Sequence, residues 1–429
     1  MFWDQVGRHG VTYLSAEGIA RGATYVIFIW LATVTTVADF GLLNVFVSLL
    51  SMLGVAVGLG VPDALLRFHF SDDDFRPVLG MAVALPVGLG VGLLLAVTPW
   101  QRSAGAALNI PGSLLVLAVA GAPAIAVRQG WLAVLRARRE SSAYFRYRLL
   151  EPVTFGLAIV VLAALGASLG HERTTAAYLA AVVAAALVAT GAATRHGLTI
   201  SAMPVRRVLS VSVPFVFHSF AMTGLAVFDQ IMIQQLIGPV AAGTYAFAYR
   251  FGMAMHLLVF AVTAAWTPLL MEHLRQGSVA TIRPAAVMTF RILVASSVML
   301  AWILPPLAKW TGGEAFAGSI PLIPLIVYAY LWTGFYGLAL AYVYMRDRAL
   351  RLVAISGSAF LVNAVLNYLA IPRWGVTAAA VTTLIGYGFL ALLMWRAVAR
   401  HRSELPWGRF LVELVLAAPL VLAAIVYYS

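Results

Sequence analysis

The stretch Pro214–Arg250 reads PFVFHSFAMTGLAVFDQIMIQQLIGPVAAGTYAFAYR. Two apolar segments flank a short turn at Leu236–Ala242. Each carries one charge inside its apolar run, Asp229 before the turn and Arg250 after it. A helix rises about 1.5 Å per residue, so both charges lie roughly 10 Å below the same membrane face. A charge in hydrocarbon is costly unless it faces protein or water and has a partner. A helical hairpin with opposite charges at equal depth supplies that partner. Two readings stay open: a structural ion pair, and a switchable pair beside a transport cavity.

The rest of the chain repeats this pattern of long apolar runs. Of its 429 residues 62% are hydrophobic and only 10% charged, and the mean hydropathy is +0.94. A soluble protein of this size could not hide so much apolar surface. The reading is an all-α polytopic membrane protein. Segments are expected at 11–35, 41–62, 76–98, 113–135, 149–169, 175–195, 211–236, 243–271, 284–308, 319–345, 350–371, 376–399 and 410–427. That is twelve spans plus an extra C-terminal helix. Cysteine is absent, which excludes disulfides and thiolate-bound metals, and the eight histidines show no ligand spacing. No metal or cofactor is expected. The N-terminus, MFWDQVGRHG, does not read as a cleavable signal.

The net charge of +12 could suggest nucleic acid, but its distribution follows topology. With the N-terminus inside, 20 of the 28 basic residues fall in cytoplasmic loops and 4 (Arg102, Arg173, Lys309, Arg373) in outer ones. The inside set includes Arg67, Arg348, Arg400 and Arg402; the acidic run Asp72–Asp74 falls inside as well, but acidic residues weigh little in this rule. Arg21, Arg128, Arg250 and Arg291 lie inside expected helices. The basic stretch RARRESSAYFRYR at Arg136–Arg148, interleaved with aromatics, reads as a cytoplasmic loop beside anionic head groups. No nucleic-acid partner is expected. Outer loops are short, and no nucleotide-binding, zinc-protease or serine-hydrolase motif is evident, which disfavours an enzyme.

A faint internal repeat superposes Gly41 on Gly243, an offset of 202 residues. It divides the chain into six-helix halves at 1–200 and 201–400, joined by the basic loop Arg195–Ser210, with 401–429 as the extra helix. A cavity between such halves is the expected arrangement.

Three stretches resemble the Wzx-type polysaccharide flippases of the multidrug/oligosaccharidyl-lipid/polysaccharide (MOP) exporter superfamily. They are ADFGLLNVFVSLLSMLGVAVGLGVPDALLRF (Ala38–Phe68), DQIMIQQLIGPVAAGTYAFAYRF (Asp229–Phe251) and NAVLNYLAIPRWGVTAAAVTTLIGYG (Asn363–Gly388). The first turn departs from the family, with Thr36-Val37-Ala38 where members commonly have Leu-Gly-Pro. The resemblance implies two helical bundles related by a pseudo-twofold axis, as in multidrug and toxin extrusion (MATE) carriers, and alternating access. It implies a bacterial inner-membrane protein, acting as a monomer, that moves a polyprenyl-diphosphate-linked oligosaccharide. Polysaccharide-assembly proteins would be its partners, and a proton or sodium gradient could drive it. A cation-coupled multidrug antiporter of the same fold is the alternative.

Against that background the intramembrane charges gain meaning. Tyr13, Glu17, Arg21 and Tyr25 share one face of the first helix. Glu17 and Arg21 either neutralise one another or line the cavity. Arg21, Arg128 and Arg291 come from three helices and all lie in the inner half. Guanidinium forks suit phosphate oxygens, so these three are the candidate diphosphate site, with only Glu17 as an obvious acidic partner. Glu17, Asp229 and Arg250 are the candidates for ion coupling. Phe290, Tyr328, Trp332 and Tyr336 suit either sugar stacking or packing. Asn363 and Asn367, one turn apart, suit interhelical hydrogen bonds or a polar lining. A net positive cavity would favour the flippase, and an acidic one the antiporter.

Overall fold

The computed structural model describes residues 2–62, 65, 76–199, 205–276, 282–346, 349–399 and 405–429. Arg67, Asp72–Asp74, Arg348, Arg400 and Arg402, together with 200–204 of the linker, lie outside the described residues. Among the described residues the chain is helical and has no strand.

The long helices are α1 (Phe2–Val34), α2 (Val37–Gly58), α3 (Arg76–Val97), α4 (Gly112–Ala137), α5 (Ser141–Ala164) and α6 (His171–Arg195). They continue as α7 (Val205–Leu236), α8 (Pro239–Gln276), α9 (Ile282–Gly312), α10 (Leu322–Arg346), α11 (Ala349–Ala397) and α12 (Trp407–Tyr428). Eleven spans among the described residues are long and apolar enough to cross a membrane, and they correspond to α2 through α12. α1 is as long as the others, but Glu17 and Arg21 interrupt its apolar run and it is not among the eleven. The expected segments 350–371 and 376–399 are both within α11. They part at Gly375, whose φ of 62° and ψ of −148° suit a residue with no Cβ. α5 begins at Ser141 rather than at 149 and α4 runs to Ala137, so all of the expected Arg136–Arg148 loop but 138–140 is helix. Its charges had masked the helical run.

The departure at the first turn has a local reason. Thr36 caps α2, its hydroxyl oxygen accepting the Asp39 backbone N–H at 3.1 Å. Asp39 in turn accepts the backbone N–H of His171 at 3.0 Å, so one carboxylate serves the first turns of both α2 and α6.

The chain forms two compact units, Met1–Ile27 with Val34–Pro239, and Phe28–Thr33 with Val240–Ser429. α7 groups with the first unit. Within that unit α4 packs on α2, α3 and α6. Small residues permit the close approach: a Cβ at Gly54 would lie 2.5 Å from Ile125 Cγ2, and one at Gly90 would lie 2.1 Å from Pro123 Cγ. Gly60, at φ +65°, ends α2 against the Ser212 carbonyl of α7, and Ser48 donates to Gln230 Oε1 at 3.2 Å along the same seam.

In the second unit α10 is the most deeply buried of the eleven spans. The Tyr330 hydroxyl of α10 donates to Tyr249 of α8 at 2.5 Å, and Phe247 stacks on Phe316 at 4.2 Å. Asn363 donates to the Thr382 carbonyl at 3.0 Å and accepts from Asn367 at 3.1 Å, while Thr382 donates to Asn367. These bonds join the two parts of α11 across the Gly375 break, the interhelical role open to both asparagines.

Candidate functional site

The first unit contains a cavity of about 290 Å³ lined from α1, α2, α4, α5 and α7. Four arginines reach it: Arg21 of α1, Arg128 and Arg136 of α4, and Arg148 of α5. Among the described residues, Glu17 is the one carboxylate that lines it. Gly54, Gly58 and Gly60 form the α2 side. With Val55 and Pro62 as the other residues of that side, the wall adds little bulk and no charge.

Glu17 organises one end. Its Oε1 accepts the Tyr144 hydroxyl at 2.5 Å and Arg148 Nε–H at 3.0 Å, and its Oε2 accepts Arg21 Nε–H at 3.2 Å. Glu17 and Arg21 are therefore paired, and both line this cavity of the first unit. Tyr13 packs edge-on against Tyr144 with ring centroids 4.9 Å apart. Tyr25 is half-buried on α1 and is not among the lining residues.

Arg128 organises the other end. It donates to Glu151 of α5, which also accepts the Tyr178 hydroxyl at 3.1 Å. Glu151 is buried, and Arg128 Nε is buried without a hydrogen-bond partner among the described residues. The site thus gathers four guanidiniums against two carboxylates, Glu17 at the surface of the cavity and Glu151 behind Arg128. Counted over the described residues it is net positive, in a protein wall that screens charge poorly.

Sequence reasoning brought Arg21 and Arg128 to the site but left out Arg136, Arg148, Tyr144 and Glu151. The expectation that only Glu17 partners the three arginines is corrected: Glu151 holds Arg128 and Glu413 holds Arg291, at 2.9 Å. Arg291 is in the second unit, with its side chain 57% exposed. Asp229 is buried in the first unit, where its carboxylate accepts the backbone N–H of Gln230 at 2.8 Å. Arg250 is in the second unit with its guanidinium carbon 3.9 Å from the centre of the Phe28 ring. Tyr328 is buried and donates to the Leu414 carbonyl of α12 at 2.9 Å. Phe290 and Tyr336 are buried too, and Trp332 lines a small apolar cavity with Phe335, Trp395 and Trp407.

A family model described as "Polysaccharide biosynthesis protein" matches residues 6–273. No curated protein matches the chain in sequence. Among solved structures, the chain is similar to an inward-facing multidrug resistance MATE family transporter of the MOP superfamily, with TM-score 0.70 and 15% identity over 96% of this chain and 99% of that one. It is similar to the lipid II flippase MurJ in an inward closed conformation, with TM-score 0.74 and 11% identity over 97% and 98%. A mutant of the Vibrio cholerae MATE transporter VcmN gives TM-score 0.60 and 14% identity over 93% and 96%. At these identities the likeness is one of fold: a multi-pass, two-lobed helical membrane protein of the MOP type.

Proposed function

We propose, because the chain belongs to the family of polysaccharide biosynthesis proteins, that it carries a polyprenyl-diphosphate-linked oligosaccharide across the bacterial inner membrane. The carrier moves its cargo from the cytoplasmic to the outer leaflet by alternating access, as a monomer working beside polysaccharide-assembly proteins. The observation that carries this reading is the arginine cavity of the first unit. A diphosphate must leave water to cross a low-dielectric layer, and fixed positive charge with hydrogen-bond donors has to replace its hydration. Arg21, Arg128, Arg136 and Arg148 offer both. Glu17 and Glu151 hold three of these guanidiniums in place and temper the site's charge, so that release remains within reach. Arg291, in the second unit, is not among the residues lining this cavity.

The alternative, a cation-coupled multidrug antiporter, has the MATE fold in its favour. A cationic drug would meet four guanidiniums at the cavity wall, and that repulsion weighs against it.

The test is export. Arg148→Ala and Arg21→Ala should each lower polysaccharide export at wild-type protein abundance, with the lipid-linked precursor accumulating in the cytoplasmic leaflet. Arg148→Lys should rescue only in part, because a point charge lacks the bidentate fork. Normal export by both alanine variants would remove the phosphate assignment.

Two further expectations concern energetics and orientation. If a proton or sodium gradient drives the cycle through the buried Asp229, Asp229→Asn should export independently of the gradient while expressing normally. With the N-terminus in the cytoplasm, Arg136–Arg148 is cytoplasmic. Ser142, exposed on the first turn of α5, is the reporter, because Ser142→Cys adds the sole thiol in the chain. It should resist an impermeant maleimide in intact cells and react once the membrane is opened. Ready labelling of intact cells would invert the topology.

A further inference from the structure

In the second unit α9 and α12 pack against each other, with aromatic contacts at two levels. Phe290 and Phe410 meet with ring centroids 4.5 Å apart, and Trp302 and Tyr427 meet with centroids 5.7 Å apart. Between these contacts lies a groove of about 640 Å³. Its walls repeat at helical spacing: Val294, Ala295, Val298 and Met299 on α9, Leu416, Ala417 and Leu420 on α12. The residues flanking it, such as Ile292, Ile303, Val412 and Val415, are exposed and apolar on two candidate membrane spans, so this face meets lipid.

One end of the groove is charged. Arg291 Nε donates to Glu413 Oε1 at 2.9 Å, and Arg409 Nε lies 3.4 Å from the same oxygen. Two guanidiniums share one carboxylate, and their side chains are 57% and 47% exposed while that of Glu413 is 15% exposed. The charged end is left net positive, and from Arg291 to Met299 the helix climbs about 12 Å of apolar wall. A cation exposed toward hydrocarbon is costly unless an anion comes to it.

We propose that this groove binds one anionic glycerophospholipid of the bilayer, its phosphate on Arg291 and Arg409 and an acyl chain along the wall to Met299 and Leu420. Charge and apolarity fall in the order a lipid presents them, head at one end and chain beyond. The site is separate from the arginine cavity of the first unit and stands whether or not that cavity binds diphosphate.

The test is a titration of the purified full chain with phosphatidylglycerol, read by native mass spectrometry. The wild type should retain one tightly held lipid. Arg291→Ala should weaken it about tenfold, the size expected for one lost charge-assisted hydrogen bond. Ala295→Trp, which fills the groove from an exposed position and leaves the charges intact, should weaken it comparably. Retention at wild-type affinity in both variants would overturn the site. Equal affinity for phosphatidylcholine would overturn the anionic assignment. Displacement of the lipid by polyprenyl phosphate at equimolar concentration would assign the groove to a carrier-lipid tail instead.

Discussion

Arg128→Ala should destabilise the purified protein by about 3–5 kcal/mol, the usual cost of removing one partner from a buried ion pair. Glu151 is buried and, among the described residues, would keep the Tyr178 hydroxyl alone, while its charge lost the guanidinium that compensates it. The measurement is thermal unfolding in detergent. The double variant Arg128→Met with Glu151→Leu removes both charges and leaves apolar side chains of similar bulk. It should recover most of the stability, because a well-packed apolar pair replaces a buried ion pair at little cost. It should not recover export, because the cavity has lost a phosphate donor. A double variant as unstable as the single one would mean that the charges do more than compensate each other.

The second large effect is steric. Gly54→Leu should destabilise the α2–α4 seam by about 1–3 kcal/mol through overpacking. A Cβ at this position would already lie 2.5 Å from Ile125 Cγ2 and 2.7 Å from its Cβ, and the leucine adds three more carbons. The helices must separate or Ile125 must leave its rotamer. Ile125→Ala in the same chain should restore part of the loss by opening room. Unfolding temperatures of the two variants and their combination check this. Strictly additive damage would show that α2 and α4 do not meet at this point.

Much of the fold was legible because hydropathy and charge report it directly. Apolar runs, with basic residues in alternate connections, marked α2 to α12 in order, and the expected segments 350–371 and 376–399 left the break of α11 between them. What was lost was local. Ser141–Arg148 carries too many charges to look like part of a span, yet Tyr144 and Arg148 stand at i, i+4 and both bond Glu17. That spacing was available as a signal. The Glu17–Arg21 pair was readable because both residues share one helix face. Arg128 with Glu151 and Arg291 with Glu413 were not, since helical periodicity does not relate residues 23 and 122 positions apart. A weaker rule could still have helped. Glu151 and Glu413 each lie inside an apolar segment, and a charge there needs a partner just as the arginines do.

The measurement that reaches the central claim most directly is translocation by the purified protein in vesicles. Polyprenyl-diphosphate oligosaccharide with a fluorescent sugar is distributed over both leaflets, and an impermeant quencher is added outside. With the wild-type protein the inner-leaflet population should become accessible, so quenching runs past the outer-leaflet fraction toward completion. The double variant Arg21→Ala with Arg148→Ala, reconstituted at equal density and folded by its unfolding temperature, should stop at the outer-leaflet fraction. Complete quenching by that variant, or a wild type that never passes the outer-leaflet fraction while moving a cationic dye instead, would contradict the account.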